Sequence, residues 1–563
     1  MKALPRKIAL ALLAIGIAGC GSDSSPYFSG SYAPQQNQPT ALQLAGKISY
    51  QRLLPNSSIT ADSPVAGDSR LDFAQPVVTP CRFVRVQALS SDNTVLSESG
   101  TNSQGEYQLS LPAGTGQVKV RVLSETATVA GFQGGIRVQD NTQNNALYAS
   151  DSSLVNAGSG RLDMLLQTGY DAQGNQTASV RGSSPFAALD GLLTGYLFWV
   201  STGVDPTPLP KCIANWSELN RPGSGEVSSG AIDTSHFRSD PNQLYILGDR
   251  NTDTDEYDWH VMIHEFGHWI QFNRFRSNGG GGGHGAGQIK EPLLTFAEGF
   301  GNATGGLALN DAIYRDTDKN SGRSSSMERN LGQQDSSPGW FSEASVELLI
   351  YDLFDPIGVE AGSNFNDQLA LPLSALRQAL DFQKESPALT TVFSFLAGLR
   401  ANGVTQGQLE PLLAVLSPSA DFGLNSQEEF GAGETHSAGL PSLPLYVDVT
   451  TEVSRDNANQ AAVPLALKAQ LDTDENWLQA NRYWMFVGDG QPLTVTVKNS
   501  TSATGNVEMD AFGAGRNLGN RSPNTAASDV FYYFDTTVVG RIYILSFTNK
   551  GQVDSTVDIE FQH

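Results

Sequence analysis

Trp259-His260-Val261-Met262-Ile263-His264-Glu265-Phe266-Gly267-His268-Trp269-Ile270 is the stretch on which the reading of this chain turns. Within it, His264, Glu265 and His268 spell H-E-x-x-H. On a helix, residues i and i+4 share a face, so the two imidazoles can reach one metal ion. Glu265 stands one residue round, off the metal but close enough to hold a water beside it. Val261, Ile263, Phe266, Trp269, Ile270 and Phe272 predict a buried helix. Asp253, Asp255, Glu256 and Asp258 are expected at its N-terminus, as caps and dipole partners. The plainer alternative is a core helix whose histidines bond carbonyl groups. The intervening glutamate and the acidic approach favour the metal site.

Downstream, Glu291-Pro292 opens a second helix, since proline is tolerated at the first helical position. That helix carries Phe296-Ala297-Glu298-Gly299-Phe300-Gly301-Asn302. Glu298 lies thirty residues beyond His268, a gap that lets the second helix return past the first. Glu343 and Glu347, on a later apolar helix, compete as third ligand or support the site from behind. With Glu298 in place the chain resembles the gluzincin metallopeptidases, in which H-E-x-x-H is followed by a glutamate on the next helix. The resemblance covers roughly residues 240–305. It implies a catalytic Zn²⁺ held by His264, His268 and Glu298, with Glu265 as general base and a protein or peptide as substrate. Thermolysin-like enzymes place an aspartate four residues after that glutamate to orient a histidine ligand. This chain has Asn302, whose carbonyl oxygen can accept the same imidazole N–H. His284 and Tyr314 are oxyanion-stabilising candidates by position alone, whereas His236 and His260 read as structural.

The N-terminus carries Lys2, Arg6 and Lys7 ahead of an apolar run from Ile8 to Ala18, too short to span a bilayer. Residues 1–19 therefore read as a signal peptide. Ile17-Ala18-Gly19-Cys20 resembles the lipobox of bacterial lipoproteins. This resemblance implies cleavage before Cys20, lipidation of that residue and, with Gly21-Ser22 following, anchorage of the protein at the outer membrane of the cell envelope. Residues 20–42, rich in Ser, Gly, Gln, Asn and Pro, read as a flexible tether. Cys81 and Cys212 are then expected to form a disulfide in an oxidising compartment, two buried free thiols being the other reading. The formal net charge of −23, with no long run of Lys or Arg, excludes nucleic acid as a natural partner.

Residues 43–149 alternate as short strands, and Thr101 to Gly114 resembles the repeat core of carboxypeptidase-regulatory-like, transthyretin-type β-sandwiches. Residues 150–440 are assigned to the catalytic domain. It starts from an apolar helix at Ser184-Pro185 and continues into two strands near 231–237 and 243–247, joined at Asp240-Pro241-Asn242. Gln243 to Gly248 is expected to form the cleft edge along which an extended peptide pairs. Gly279 to Gly283, followed by His284, reads equally as a gate or a spacer. Asp316 to Gly322 hints at a Ca²⁺ loop, but the glycine is one place late and Met327 holds the twelfth position, so a solvated loop is preferred. Residues 365–440 read as helices, and 441–563 as strands resembling pre-peptidase C-terminal domains.

The expected fold is multidomain α+β, with a zincin-like catalytic domain (mixed sheet plus helices) flanked by N- and C-terminal β-sandwiches. The expected function is zinc-dependent peptide-bond hydrolysis by a cell-envelope lipoprotein. The alternatives are a non-catalytic adhesin or binding lipoprotein and a zinc hydrolase of glycoprotein or cell-wall peptides.

Overall fold

A computed structural model describes residues 41–55, 70–127, 135–285, 288–318, 322–327, 338–356, 369–415, 426–431, 445–454, 462–469, 480–499, 506–522 and 529–563. The signal peptide, Cys20 and nearly all of the tether lie outside the described residues, as do positions 319–321 of the Asp316 to Gly322 loop. The chain is multidomain, with mixed sheets and helices and more strand than helix among the described residues. No described helix is long and apolar enough to cross a membrane.

The strand Leu42–Arg52 organises the first unit. It pairs antiparallel with Glu106–Leu111 along its first half and with Val77–Pro80 along its second, and parallel with Met164–Leu166. Glu106–Leu111 shows why it is a strand: Tyr107, Leu109 and Leu111 are buried while Glu106, Gln108 and Ser110 face solvent, a period of two. The second sheet runs His236–Arg238, Gln243–Ile246, Cys212–Trp216, Ile136–Asp140, Gln117–Thr126, Val84–Ser90 and Val95–Gly100 in spatial order. It is therefore continuous across the expected division at 149/150, because Ile136–Asp140 pairs parallel with Cys212–Trp216. Parallel neighbours need cover on their faces. The helix α1 (Ser184–Ser201) supplies it, with Leu189, Leu192, Leu193, Tyr196 and Trp199 all buried.

Two expectations are corrected here. Cys81 and Cys212 are both buried and unbridged. Cys212 opens a central strand paired to Ile136, while the Cys81 amide bonds Ile48 at the edge of the other sheet. Each thiol packs as a small apolar side chain in the core. The strand Gln243–Ile246 is not an edge either, since His236–Arg238 pairs on one side and Cys212–Trp216 on the other. The turn at Asp240 to Asn242 folds the outer strand back, so His236–Arg238 is the edge.

Three further helices follow: α2 (Trp259–Arg274) and α3 (Pro292–Leu309) pack on α1, and α4 (Glu343–Phe354) packs on α3. The amphipathic helix Leu373–Glu385 and the buried helix Val392–Ala401 close the far side. Beyond them, a five-stranded and a four-stranded sheet share one core around Trp484, Phe486, Val495, Leu545, Phe547 and Phe561, forming a sandwich. The sandwich grips the helices through polar contacts. The Tyr483 hydroxyl donates to Glu291 Oε2 at 2.6 Å, and Asn278 donates to the Gly515 carbonyl at 3.0 Å. Glu291 in turn caps α3 by accepting from the Leu293 and Leu294 amides.

Candidate metal centre

Helix α2 presents His264 and His268 on one face, and α3 crosses it with Glu298. His264 Nε2 and His268 Nε2 lie 3.0 Å apart, and Glu298 Oε2 lies 3.1 Å from the first and 3.3 Å from the second. Three atoms able to ligate a metal thus form a near-equilateral triangle. His264 and Glu298 are buried and His268 is partly open, so the triangle lies at the floor of an accessible face. Burial opposes ionisation of Glu298, but the charges and hydrogen bonds of His268 and His264 hold its carboxyl well below the usual range.

Close approach of the helices depends on glycine. A Cβ on Gly301 would sit 2.7 Å from His264 Nδ1 and 2.8 Å from Cε1, and one on Gly299 would sit 2.8 Å from the Glu343 carbonyl oxygen. Helix α3 is squeezed between α2 and α4, with glycine facing each. Glycine inside a helix costs roughly 1 kcal/mol relative to alanine. Gly299, Gly301, Gly305 and Gly306 within one helix are the mark of such packing in the sequence.

Asn302 fixes the chemistry of His264. Its Nδ2 donates to Glu343 Oε1 at 3.0 Å and to Glu347 Oε2 at 3.1 Å, each carboxylate oxygen accepting. Its Oδ1 faces His264 Nδ1, 2.6 Å away, and an amide oxygen there accepts from a protonated Nδ1. With that proton on Nδ1, a neutral ring would offer its Nε2 lone pair to an ion held between His264, His268 and Glu298. An aspartate in its place would set a third carboxylate against Glu343 and Glu347. Glu343 and Glu347 stand behind Asn302, outside the ligand triangle.

Glu265 Oε1 lies 3.9 Å from His264 Nε2, near the triangle without joining it. Burial raises its carboxyl to about 7, with Glu298 adding to the rise while His264 and the Phe237 amide oppose it. That amide belongs to the edge strand, so the edge of the sheet borders Glu265. The glycine-rich segment delivers His284, whose Nδ1 bonds Glu343 Oε2 at 2.9 Å and whose Nε2 lies 3.5 Å from Glu298 Oε2. Burial works against its protonation, but the Glu343 hydrogen bond and the charges of Glu298, Glu343 and Glu265 carry it up to about 9. Tyr314, on the strand Ile313–Thr317, packs its ring on His260 with centroids 5.5 Å apart. Burial and the Asp316 and Glu265 charges raise its hydroxyl far above the usual value. His260 bonds the Asp311 carbonyl and His236 the Thr234 carbonyl, both structural roles.

The expected caps of α2 act differently. Asp258 occupies the N-cap position but makes no side-chain cap bond; its Oδ2 accepts from the Thr317 amide at 2.8 Å and hydroxyl at 2.7 Å. Glu256 forms a fully buried pair with Arg181 at 3.0 Å.

No family model matches the chain, and no curated protein matches it. Among solved structures it is similar to PliG of Aeromonas hydrophila, a periplasmic inhibitor of g-type lysozyme. Identity there is 14%, over 21% of this chain and 96% of that one, with a TM-score of 0.14. It is also similar to a β-glucosidase of Paenibacillus barengoltzii, at 12% identity over 92% of this chain and 70% of that one, with a TM-score of 0.12. At these TM-scores neither likeness bears on fold or function.

Proposed function

We propose that the chain is a zinc-dependent hydrolase of peptide bonds, with His264, His268 and Glu298 as metal ligands and Glu265 as general base. The single observation carrying this reading is the triangle of two imidazole nitrogens and one carboxylate oxygen, with edges of 3.0, 3.1 and 3.3 Å. A tetrahedral ion with bonds of about 2.0–2.1 Å spans edges of about 3.3–3.4 Å, so the donor set fits Zn²⁺ in type and spacing. Two histidines and one carboxylate leave a tetrahedral set one donor short, as in catalytic sites.

Zn²⁺, when bound, supplies Lewis-acid polarisation of a carbonyl and makes water a better nucleophile at neutral pH. The chain's own residues do the rest. Asn302 and the two glutamates behind it keep the His264 lone pair aimed at the metal. Glu265, with its proton affinity raised by burial, takes a proton from the attacking water and returns it to the leaving amine. The edge strand His236–Arg238 offers backbone groups for an extended substrate beside that base. His284, protonated and tethered to Glu343, places a cation where negative charge develops on the substrate carbonyl oxygen. Anchorage at the cell envelope through Cys20 belongs to the same proposal.

Glu265→Gln tests the reading. The variant should bind zinc with wild-type stoichiometry and lose cleavage of a mixed peptide library by 10²-fold or more, on the order of a lost general base. Undiminished cleavage would remove Glu265 from the mechanism. Absence of stoichiometric zinc in the wild type would favour the non-catalytic binding lipoprotein.

A further inference from the structure

The C-terminal sandwich touches the helical layer at two places that are roots of the metal centre. The first is the start of α3, the helix that carries Glu298 nearly two turns further on. There Glu291 Oε2 accepts from the Tyr483 hydroxyl at 2.6 Å and from the Leu293 amide at 3.0 Å, while Oε1 accepts from the Leu294 amide at 2.7 Å. Glu291 and Tyr483 are only 6% and 4% exposed. Tyr446 packs beside the tyrosine, ring centroids 5.8 Å apart, and its own hydroxyl accepts from the Leu389 amide. The second place is the segment leaving α2. Asn278 donates to the Gly515 carbonyl at 3.0 Å, and Arg276 Nη1 reaches the Ala514 carbonyl at 3.4 Å. Gly515 has a φ of +70°, and a Cβ there would overlap the Arg276 guanidinium, so the approach requires glycine. Asn481–Val487, which bears Tyr483, and the hairpin around Gly515 belong to one five-stranded sheet. That sheet holds the end of α2 and the start of α3, with His284 on the stretch between them.

A module that merely hangs on another domain meets it through solvated, polar surface. A buried carboxylate answered by a buried tyrosine 192 residues away is a different kind of contact, because each group has given up water and depends on the other. Helix α3 also needs a stop along its axis. It turns Gly301 toward α2 and Gly299 toward α4, which sets close approach on both flanks but leaves few ridges to fix the helix lengthwise. A lengthwise shift would carry Glu298 Oε2 away from the two imidazole nitrogens, now 3.1 and 3.3 Å from it. We infer that Tyr483 is a positioning residue of the metal centre: by holding Glu291 it fixes the start of α3, and with it the place of Glu298, so the C-terminal sandwich is a working part of the site. The inference rests on the zinc reading and extends it to a domain that supplies no ligand of its own.

The test uses the full chain, stripped of metal and reloaded with zinc, as wild type, Tyr483→Phe, Glu291→Ala, the two combined, and Phe561→Leu. Phe561 lies in the separate core of the sandwich, so its variant loosens that domain without touching Glu291. Competition with a chromogenic chelator should find one zinc in the wild type and in Tyr483→Phe, held at least about threefold more weakly in the latter. For a peptide that the wild type cleaves, kcat should fall at least about threefold in Tyr483→Phe with KM within about twofold, since the metal centre and not the substrate strand is displaced. Glu291→Ala should lose at least as much zinc affinity, and the double variant no more than Glu291→Ala alone, because the tyrosine acts through the glutamate. Phe561→Leu should unfold at lower urea yet keep the zinc affinity and kcat of the wild type. A loss of less than about threefold in the zinc affinity of Tyr483→Phe overturns the inference and leaves the zinc reading standing. So do losses that add in the double variant, and a loss in Phe561→Leu that matches Tyr483→Phe. A wild type that holds no zinc overturns the zinc reading and takes this inference with it.

Discussion

Asn302→Asp introduces the residue that thermolysin-like enzymes carry after their third ligand, and it should nonetheless damage this protein. The change leaves an acceptor facing His264 Nδ1, so the bond at 2.6 Å survives. What is lost is the donor pair to Glu343 and Glu347, at 3.0 and 3.1 Å. Hydrogen bonds to charged groups contribute about 1.5–3 kcal/mol each. Both come from one amide, so the losses do not add fully, and about 3 kcal/mol is the expected destabilisation. A third carboxylate at this buried spot also raises its own proton affinity. Its folded pKa then exceeds its unfolded one, and such a group costs stability as pH rises through the folded value. The deficit relative to wild type should therefore be larger near about pH 8 than near about pH 5. Urea unfolding of the metal-stripped proteins measures it, and competition with a chromogenic chelator should show zinc affinity falling about 10–100-fold. Asn302→Asp combined with Glu347→Gln returns a donor and should recover part of both losses. If Asn302→Asp unfolds within about 0.5 kcal/mol of wild type and keeps its zinc affinity, the orienting role given to Asn302 is wrong.

Three other outcomes follow from the same geometry. Gly301→Ala should gain about 1 kcal/mol of helix propensity yet lose zinc affinity at least tenfold, because a Cβ 2.7–2.8 Å from His264 must displace that ring by more than a ligand tolerates. Zinc titration within threefold of wild type would refute the cradle. His260 is buried, and burial lowers its pKa from 6.5 to about 4, so the unfolded chain binds the proton first and stability is lost as pH falls through that window. The loss should total roughly 3 kcal/mol, and His260→Gln should flatten the acid limb of a stability–pH curve. Cys81 and Cys212, buried and unbridged, should resist a thiol reagent in the native protein and both react after unreduced denaturation; silence after denaturation would mean a bridge.

What the sequence determined by itself was local. A period of two marked strands such as Glu106–Leu111, and the i, i+4 spacing of His264 and His268 put both imidazoles on one face, because side-chain direction follows from the backbone alone. Glu298 was legible for a related reason: a proline-opened helix thirty residues on has little choice but to return along the first. The tertiary structure decided everything that depends on which distant segments meet. Pairing of His236–Arg238 moved the sheet edge off Gln243–Ile246, and Ile136–Asp140 joined the first strands to the second sheet instead of closing a separate sandwich. Cys81 and Cys212 went to different sheets. Asn302 acquired its meaning from Glu343 and Glu347 on a helix some forty residues away. The acidic residues before α2 turned from expected caps into a cluster once Asp316 arrived beside them. Periodicity fixes the face a residue presents, but only chain packing fixes what stands opposite, and there the energies of buried charge and hydrogen bonding are decided.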